Sequence, residues 1–295
     1  RRTRPPVIRA TRQAEPPAPG SYSDVTLDVH LARVAEIHAN RTALVDGATR
    51  LTFAQLARRA MECAAAMHRL GVRRGDVVTV ILPNWWETVV AIQAAIRLGA
   101  VVNPVVPIYR GLEVGFILNQ AQPSLIIIPH RFRNFDYVQM MNALLPTLAR
   151  RPAVGVARPE DGLPGGFMPF DALAGFEPVD FGHGSPTDVS LLLYTSGTTA
   201  DPKGVLHTHQ TLDYEVRSII ALFGLGADDA VFAPSPLTHI TGYLFGVLMP
   251  PMLGSAAICL DIWDAEKGAT LVEENGCRFI MAATPFLQGL ADAYD

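Results

Sequence analysis

Cysteine is scarce in this sequence: Cys63, Cys259 and Cys277 are the only three among 295 residues. Three scattered thiols cannot build a disulfide framework and lack zinc-ligand spacing, so buried, reduced thiols in a cytoplasmic protein are expected. Charge is also limited. Only 18% of residues are Asp, Glu, Lys or Arg, 49% are apolar, and the formal net charge is −4. The apolar excess excludes a disordered chain, and the lack of positive charge excludes a dedicated nucleic-acid binder with a basic face. A chain this long buries roughly three quarters of its unfolded surface and needs no covalent staples. An unbroken membrane-spanning run is missing as well. The longest uncharged apolar stretch, 243–260, is interrupted by Gly246, Pro250, Pro251, Gly254 and Ser255. It reads as buried helix, turn and buried strand, because a spanning helix rarely holds Pro-Pro at its centre. No repeat of fixed period and no signal-peptide pattern occur.

What is present is an alternation of helical and strand signals. Leu27, Leu31, Val34 and Ile37 fall at helical spacing. Asp46-Gly47 is a turn signal between two short apolar runs, and Thr52-x-x-Gln55 is a capping-box pattern for a helix running towards Leu70. Asn84 is placed to cap a helix over 85–98 that Gly99 closes. Apolar runs at 77–82, 101–106, 124–128, 189–194, 230–233, 255–260 and 277–282 predict buried strands separated by helices. The fold class that follows is α/β, with layered β/α subdomains and mostly parallel sheets covered by helices. Four regions are expected. Residues 1–20, where Arg1, Arg2, Arg4, Arg9 and Arg12 sit among five prolines, form a disordered Arg/Pro-rich tail. Residues 21–157 form a first α/β subdomain, the Pro/Gly-rich stretch 158–186 a connection, and 187–295 a second α/β subdomain.

One segment carries chemistry. Residues 191–205 read Leu-Leu-Leu-Tyr-Thr-Ser-Gly-Thr-Thr-Ala-Asp-Pro-Lys-Gly-Val. An apolar strand enters a loop of small hydroxyl residues around Gly197, and Lys203 follows. Small residues let backbone N–H groups approach an anion, hydroxyls donate without adding charge, and lysine supplies a mobile cation. The spacing matches neither a Walker A loop nor a Gly-x-Gly-x-x-Gly fingerprint. From the residues alone this is a phosphate grip of unspecified kind. His207 and His209 lack a third ligand at workable spacing and are read as structural. Trp85-Trp86 is read as packing at a helix start.

The string Tyr-Thr-Ser-Gly-Thr-Thr-x-x-Pro-Lys-Gly-Val at 194–205 resembles the signature phosphate loop of the adenylate-forming (AMP-dependent) synthetase/ligase superfamily. The extension Leu206-His207-Thr208-His209 looks like its acyl-CoA ligase branch. The segments 97–104 and 234–242 are similar to two further core stretches of the family. The nearest flavour is the cyclohexanecarboxylate-type and medium-chain acyl-CoA ligases. The resemblance implies the large N-terminal domain of an adenylate-forming enzyme and a two-step reaction, in which ATP and a small carboxylic acid give acyl-AMP and pyrophosphate before a thiol takes the acyl group. It implies ATP, Mg²⁺ and coenzyme A as participants. By the match, Thr195, Ser196, Gly197, Thr198, Thr199 and Lys203 hold the β- and γ-phosphates, with Lys203 also catalytic and Thr198 helping to hold Mg²⁺. His239 matches a catalytic gating position beside the acyl pocket, and His239, Ile240 and Gly242 are expected to bind substrate. Ile240 tilts the expected acid towards an apolar one.

Two departures from the family pattern stand out. Ala200 occupies a position that is usually glycine, which costs on the order of 1 kcal/mol if φ is positive there. The later family strings Tyr-Gly-x-Thr-Glu and Thr-Gly-Asp are absent. The sequence also opens on Arg1 rather than Met. We therefore expect an N-terminal part of a ligase, incomplete at its C-terminal side, that needs a C-terminal domain to turn over. Two alternatives stay open: a non-catalytic nucleotide-binding fragment, and an enzyme that loads a carrier protein instead of coenzyme A.

Overall fold

Thr52 shows how local chemistry begins an element. Its hydroxyl accepts from the Gln55 amide at 3.2 Å while the Gln55 side chain accepts from the Thr52 amide at 2.9 Å, so two otherwise orphaned donors are satisfied reciprocally. The computed structural model describes residues 22–160, 162–195 and 202–294. The expected tail and loop residues Ser196, Gly197, Thr198, Thr199 and Ala200 lie outside the described residues.

In chain order, α1 (Asp28–Ile37) precedes a hairpin of β1 (Thr42–Asp46) and β2 (Thr49–Thr52), and α2 (Phe53–Arg69) follows the capping box. Next come β3 (Val77–Val80), α3 (Trp86–Leu98), β4 (Val101–Pro104), α4 (Gly111–Ala121) and β5 (Leu125–Pro129). A small hairpin of β6 (Arg131–Phe132) and β7 (Phe135–Asp136) leads to α5 (Tyr137–Leu144), β8 (Ala153–Ala157) and β9 (Phe167–Pro169). A second hairpin pairs β10 (Val189–Thr195) with β11 (Lys203–Thr208), followed by α6 (His209–Phe223) and β12 (Ala230–Ala233). The short α7 (Ile240–Gly242) runs into a π-helix, Tyr243–Leu248, and α8 (Met249–Leu253). Then come β13 (Ala257–Cys259), α9 (Ala265–Glu274), β14 (Cys277–Ile280) and α10 (Thr284–Tyr294). The 243–260 stretch is thus helix, turn and strand, and no described helix is long and apolar enough to cross a membrane.

The main strands form two sheets, ordered β14-β12-β13-β1-β2 and β11-β10-β4-β3-β5-β8-β9. Pairing is parallel except at β1–β2 and β10–β11, where a hairpin supplies one edge of each sheet. Strand alternation explains the layers. Leu125 and Ile127 of β5 enter a large shared core, while Ile126 and Ile128 enter a second core with α4 and α5. On the other sheet, Val231 and Ala257 join the shared core, and Phe232 and Ile258 face a third one near α9. Helices α2 and α3 therefore lie between the sheets. This burial on both faces is why the strands read as continuous apolar runs.

One sequence expectation, the Asn84 cap, is corrected, and the two sheets prove to be interleaved across the stretch 158–186. β1 and β2 join the sheet of β12–β14, β10 and β11 join the sheet of β3–β5, and β9 within the stretch pairs with β8. Asn84 does not cap α3, since Trp85 occupies the cap position without a side-chain cap bond. The Asn84 amide is instead consumed by backbone groups of the other sheet.

Candidate functional site

A cavity of about 670 Å³ opens where strands of both sheets end. Asn84 after β3, Val105 after β4, Thr195 at the end of β10, Ser235 after β12 and Asp261 after β13 all line it. Crevices at the carboxyl ends of parallel strands are where open α/β sheets place ligands. Here two sheets contribute their carboxyl ends to one crevice.

The hydroxyl-rich segment follows β10 in sequence, and β10 and β11 pair antiparallel. Thr195 pairs in register with Lys203, and Tyr194 with Gly204. The residues before and after the loop are therefore fixed opposite each other by the ladder. A side chain on Gly204 would press on Leu192 Cδ1 at 2.9 Å, so glycine lets the return strand lie flat. Thr195 lines the cavity, and Lys203 is exposed at the first position of β11. The structure thus places two of the expected phosphate-binding residues side by side; Ser196, Gly197, Thr198 and Thr199 lie outside the described residues.

His239 and Ile240 both line the same cavity. The His239 amide donates to the Pro236 carbonyl at 2.9 Å, and its Nδ1 accepts a long bond of 3.4 Å from the Thr241 amide. With Nδ1 accepting, the neutral ring carries its proton on Nε2. Partial burial holds the imidazole pKa below its ordinary value and keeps that neutral form. Gly242 is placed differently from the other two. It is buried and outside the cavity lining, with a side chain excluded by the Pro236 carbonyl. Its glycine is required for close approach of two backbones.

Of the remaining candidates, His209 is a packed, hydrogen-bonded residue. His209 is 3% exposed, and its Nδ1 accepts from the Leu27 amide at 3.2 Å. His207 is half-buried, and burial lowers its pKa. Among the described residues no group of three His, Cys, Asp or Glu could hold a metal ion. All three cysteines are free, and burial pushes the Cys63 and Cys277 thiols up to about 12. Trp85 and Trp86 pack as expected, and Trp85 also donates through Nε1 to Asp261 at 3.1 Å. The Arg158 guanidinium covers the Trp85 ring at 4.0 Å and pairs with Glu87 and Asp46.

Sequence reasoning missed Asp261 and the true role of Asn84. Neither carries a local signal, because their partners lie 149–176 residues away.

Comparison with known proteins identifies the family. The model of the AMP-binding enzyme family matches residues 31–295. The chain is 29% identical over 281 residues to the medium-chain fatty-acid–CoA ligase of Escherichia coli (strain K12), covering 94% of this chain and 49% of that one. It is 32% identical over 263 residues to the salicyl-AMP ligase / salicyl-S-ArCP synthetase of Mycobacterium tuberculosis, covering 84% and 44%. The apo structure of MbtA from Mycobacterium smegmatis matches with a TM-score of 0.83 at 26% identity, covering 94% of this chain and 51% of that one. The chain spans about half the length of the curated relatives it matches.

Proposed function

The chain belongs to the AMP-binding enzyme family and has the fold of the N-terminal domain of adenylate-forming enzymes, and from that premise we propose that it carries the ATP- and acid-binding face of an AMP-forming acid–thiol ligase. The observation that carries this reading is the Thr195–Lys203 register pair, which brackets the hydroxyl-rich loop beside a cavity that His239 and Ile240 also line. A carboxylate oxygen of the substrate attacks the α-phosphorus of ATP, forming acyl-AMP and releasing pyrophosphate. A thiol then attacks the acyl carbon and releases AMP.

Phosphoryl substitution needs mainly charge neutralisation and positioning. The Lys203 ammonium, the Thr195 hydroxyl and the loop's hydroxyls and amides supply the former to the β- and γ-phosphates. The neutral His239 ring donates one hydrogen bond that orients the carboxylate. Thr198, the proposed contributor to an Mg²⁺ site, lies outside the described residues. The phosphate grip proposed here is built from hydroxyls, amides and Lys203.

Ile240, Val106, Phe132 and Trp263 in the lining favour a small apolar or aryl acid. Coenzyme A is the proposed acceptor, in keeping with the name of the E. coli relative. The M. tuberculosis relative is also named a salicyl-S-ArCP synthetase, which supports carrier-protein loading as the second reading. Supplying each acceptor in turn separates the two.

Lys203 and Lys267 are the two lysines of the sequence, which makes a direct test practical. An acyl-phosphate derivative of ATP should acylate Lys203, be blocked by excess ATP and leave Lys267 unmodified. Equal labelling of both lysines overturns the assignment. In the gene product that carries this sequence, Lys203→Ala should slow acid-dependent ATP–pyrophosphate exchange on the order of a hundredfold. Residues 1–295 alone should not sustain that exchange.

A further inference from the structure

We propose that Asn84 is a positioning residue that sets the acid-binding wall of the cavity, an inference that rests on the function proposed above. Asn84 is 3% exposed and follows β3 of the seven-stranded sheet. Its side chain crosses to the other sheet. Nδ2 donates to the carbonyls of Ala233 at 3.1 Å, Ser235 at 2.9 Å and Leu260 at 3.0 Å, and Oδ1 accepts from the Leu237 amide at 2.8 Å.

Three carbonyls can only accept and one amide can only donate, so this arrangement fixes the orientation of the side-chain amide. Two N–H groups serve three acceptors, so one of them is shared. The side chain therefore gathers the ends of β12 and β13 and the turn 234–237 around one point. The His239 amide bonds back to the Pro236 carbonyl, and Gly242 packs against that same carbonyl. The turn is thus held by Asn84 and by the segment that follows it, and His239 and Ile240 next to it line the cavity. Among the described residues, β10 and β11 take no bond from Asn84. The direct bonds of Asn84 therefore reach the acid side, and the effect of disturbing it should fall mainly there.

Chemistry dictates asparagine here. Asn84→Asp keeps the shape but directs a carboxylate at three carbonyl oxygens. Protonating that carboxylate restores one donor, so the defect should lessen as pH falls.

The test is acid-dependent ATP–pyrophosphate exchange by the whole gene product. Asn84→Asp should raise KM for the acid on the order of tenfold at pH 8 and leave KM for ATP within about twofold. The difference from the unsubstituted protein should narrow towards pH 6. Asn84→Ser, which keeps one donor and one acceptor, should show a smaller, pH-independent rise. Deuterium exchange should quicken over 233–242 and not over 203–208. An equal rise in both KM values, an unchanged KM for the acid in a folded variant, or failure of both variants to fold overturns the proposal. If the unsubstituted protein shows no exchange with any acid, the functional reading itself falls. The reference reaction thereby separates the two failures.

Discussion

His209 sits in the first turn of α6, almost wholly buried, and accepts a backbone hydrogen bond on Nδ1. Burial is the main reason its pKa is lowered, with Arg74 adding to the effect and Asp28 and Asp188 opposing it. A histidine whose folded pKa lies below its unfolded value of about 6.5 is protonated first in the unfolded chain. As pH falls below that value, the unfolded state binds a proton that the folded state refuses, and stability declines. Thermal melts between pH 7.5 and 5 should show a falling Tm, and His209→Gln, which keeps an acceptor but cannot titrate, should flatten the trend. An unchanged slope in the variant would assign the pH dependence elsewhere. Nothing in the sequence around His209 distinguishes it from His207, because the bond that defines it comes from Leu27, 182 residues away.

At the scale of elements, the run from α7 through the π-helix to α8 is shaped by glycines that press on the preceding turn. A side chain at Gly242 would meet the Pro236 carbonyl, and one at Gly246 would meet Leu237 Cδ2 at 2.5 Å. The Leu237 side chain can shift, whereas the Pro236 backbone is anchored by Asn84 through its neighbours. Gly242→Ala should therefore destabilise by about 1–3 kcal/mol, as overpacking against a fixed partner does. Gly246→Ala should cost less. Denaturant melts of the two variants decide this, and equal costs would mean that the turn yields as readily as the leucine. Several other elements were readable from local chemistry alone. The Thr52–Gln55 box, the Asp46-Gly47 turn and the Gly99 cap at φ +75 all sit where the residues predict. Asn84 was misread because its type and position fit a cap equally well, and only the carbonyls of a distant turn outbid that use.

Across the whole molecule, the two sheets are interleaved in sequence. The chain starts one sheet with β1 and β2, builds most of the other, and returns to the first with β12, β13 and β14. Cutting at 158–186 would strand β1 and β2 from their partners on one side and β10 and β11 from theirs on the other. Limited proteolysis in that stretch should leave two fragments that co-elute on gel filtration and separate only in denaturant. Elution of two independently folded halves under native conditions would contradict the shared core. The Pro/Gly-rich composition was visible, but a change in local character says nothing about which strands pair across it. The sequence by itself determined most of the elements, the α/β class and, through the string at 194–205, the family resemblance, because periodicity, capping chemistry and a contiguous motif are local properties of the chain. Only the tertiary structure decided the cavity, the shared core and the roles of Asn84 and Asp261, because each depends on groups brought together from distant parts of the chain.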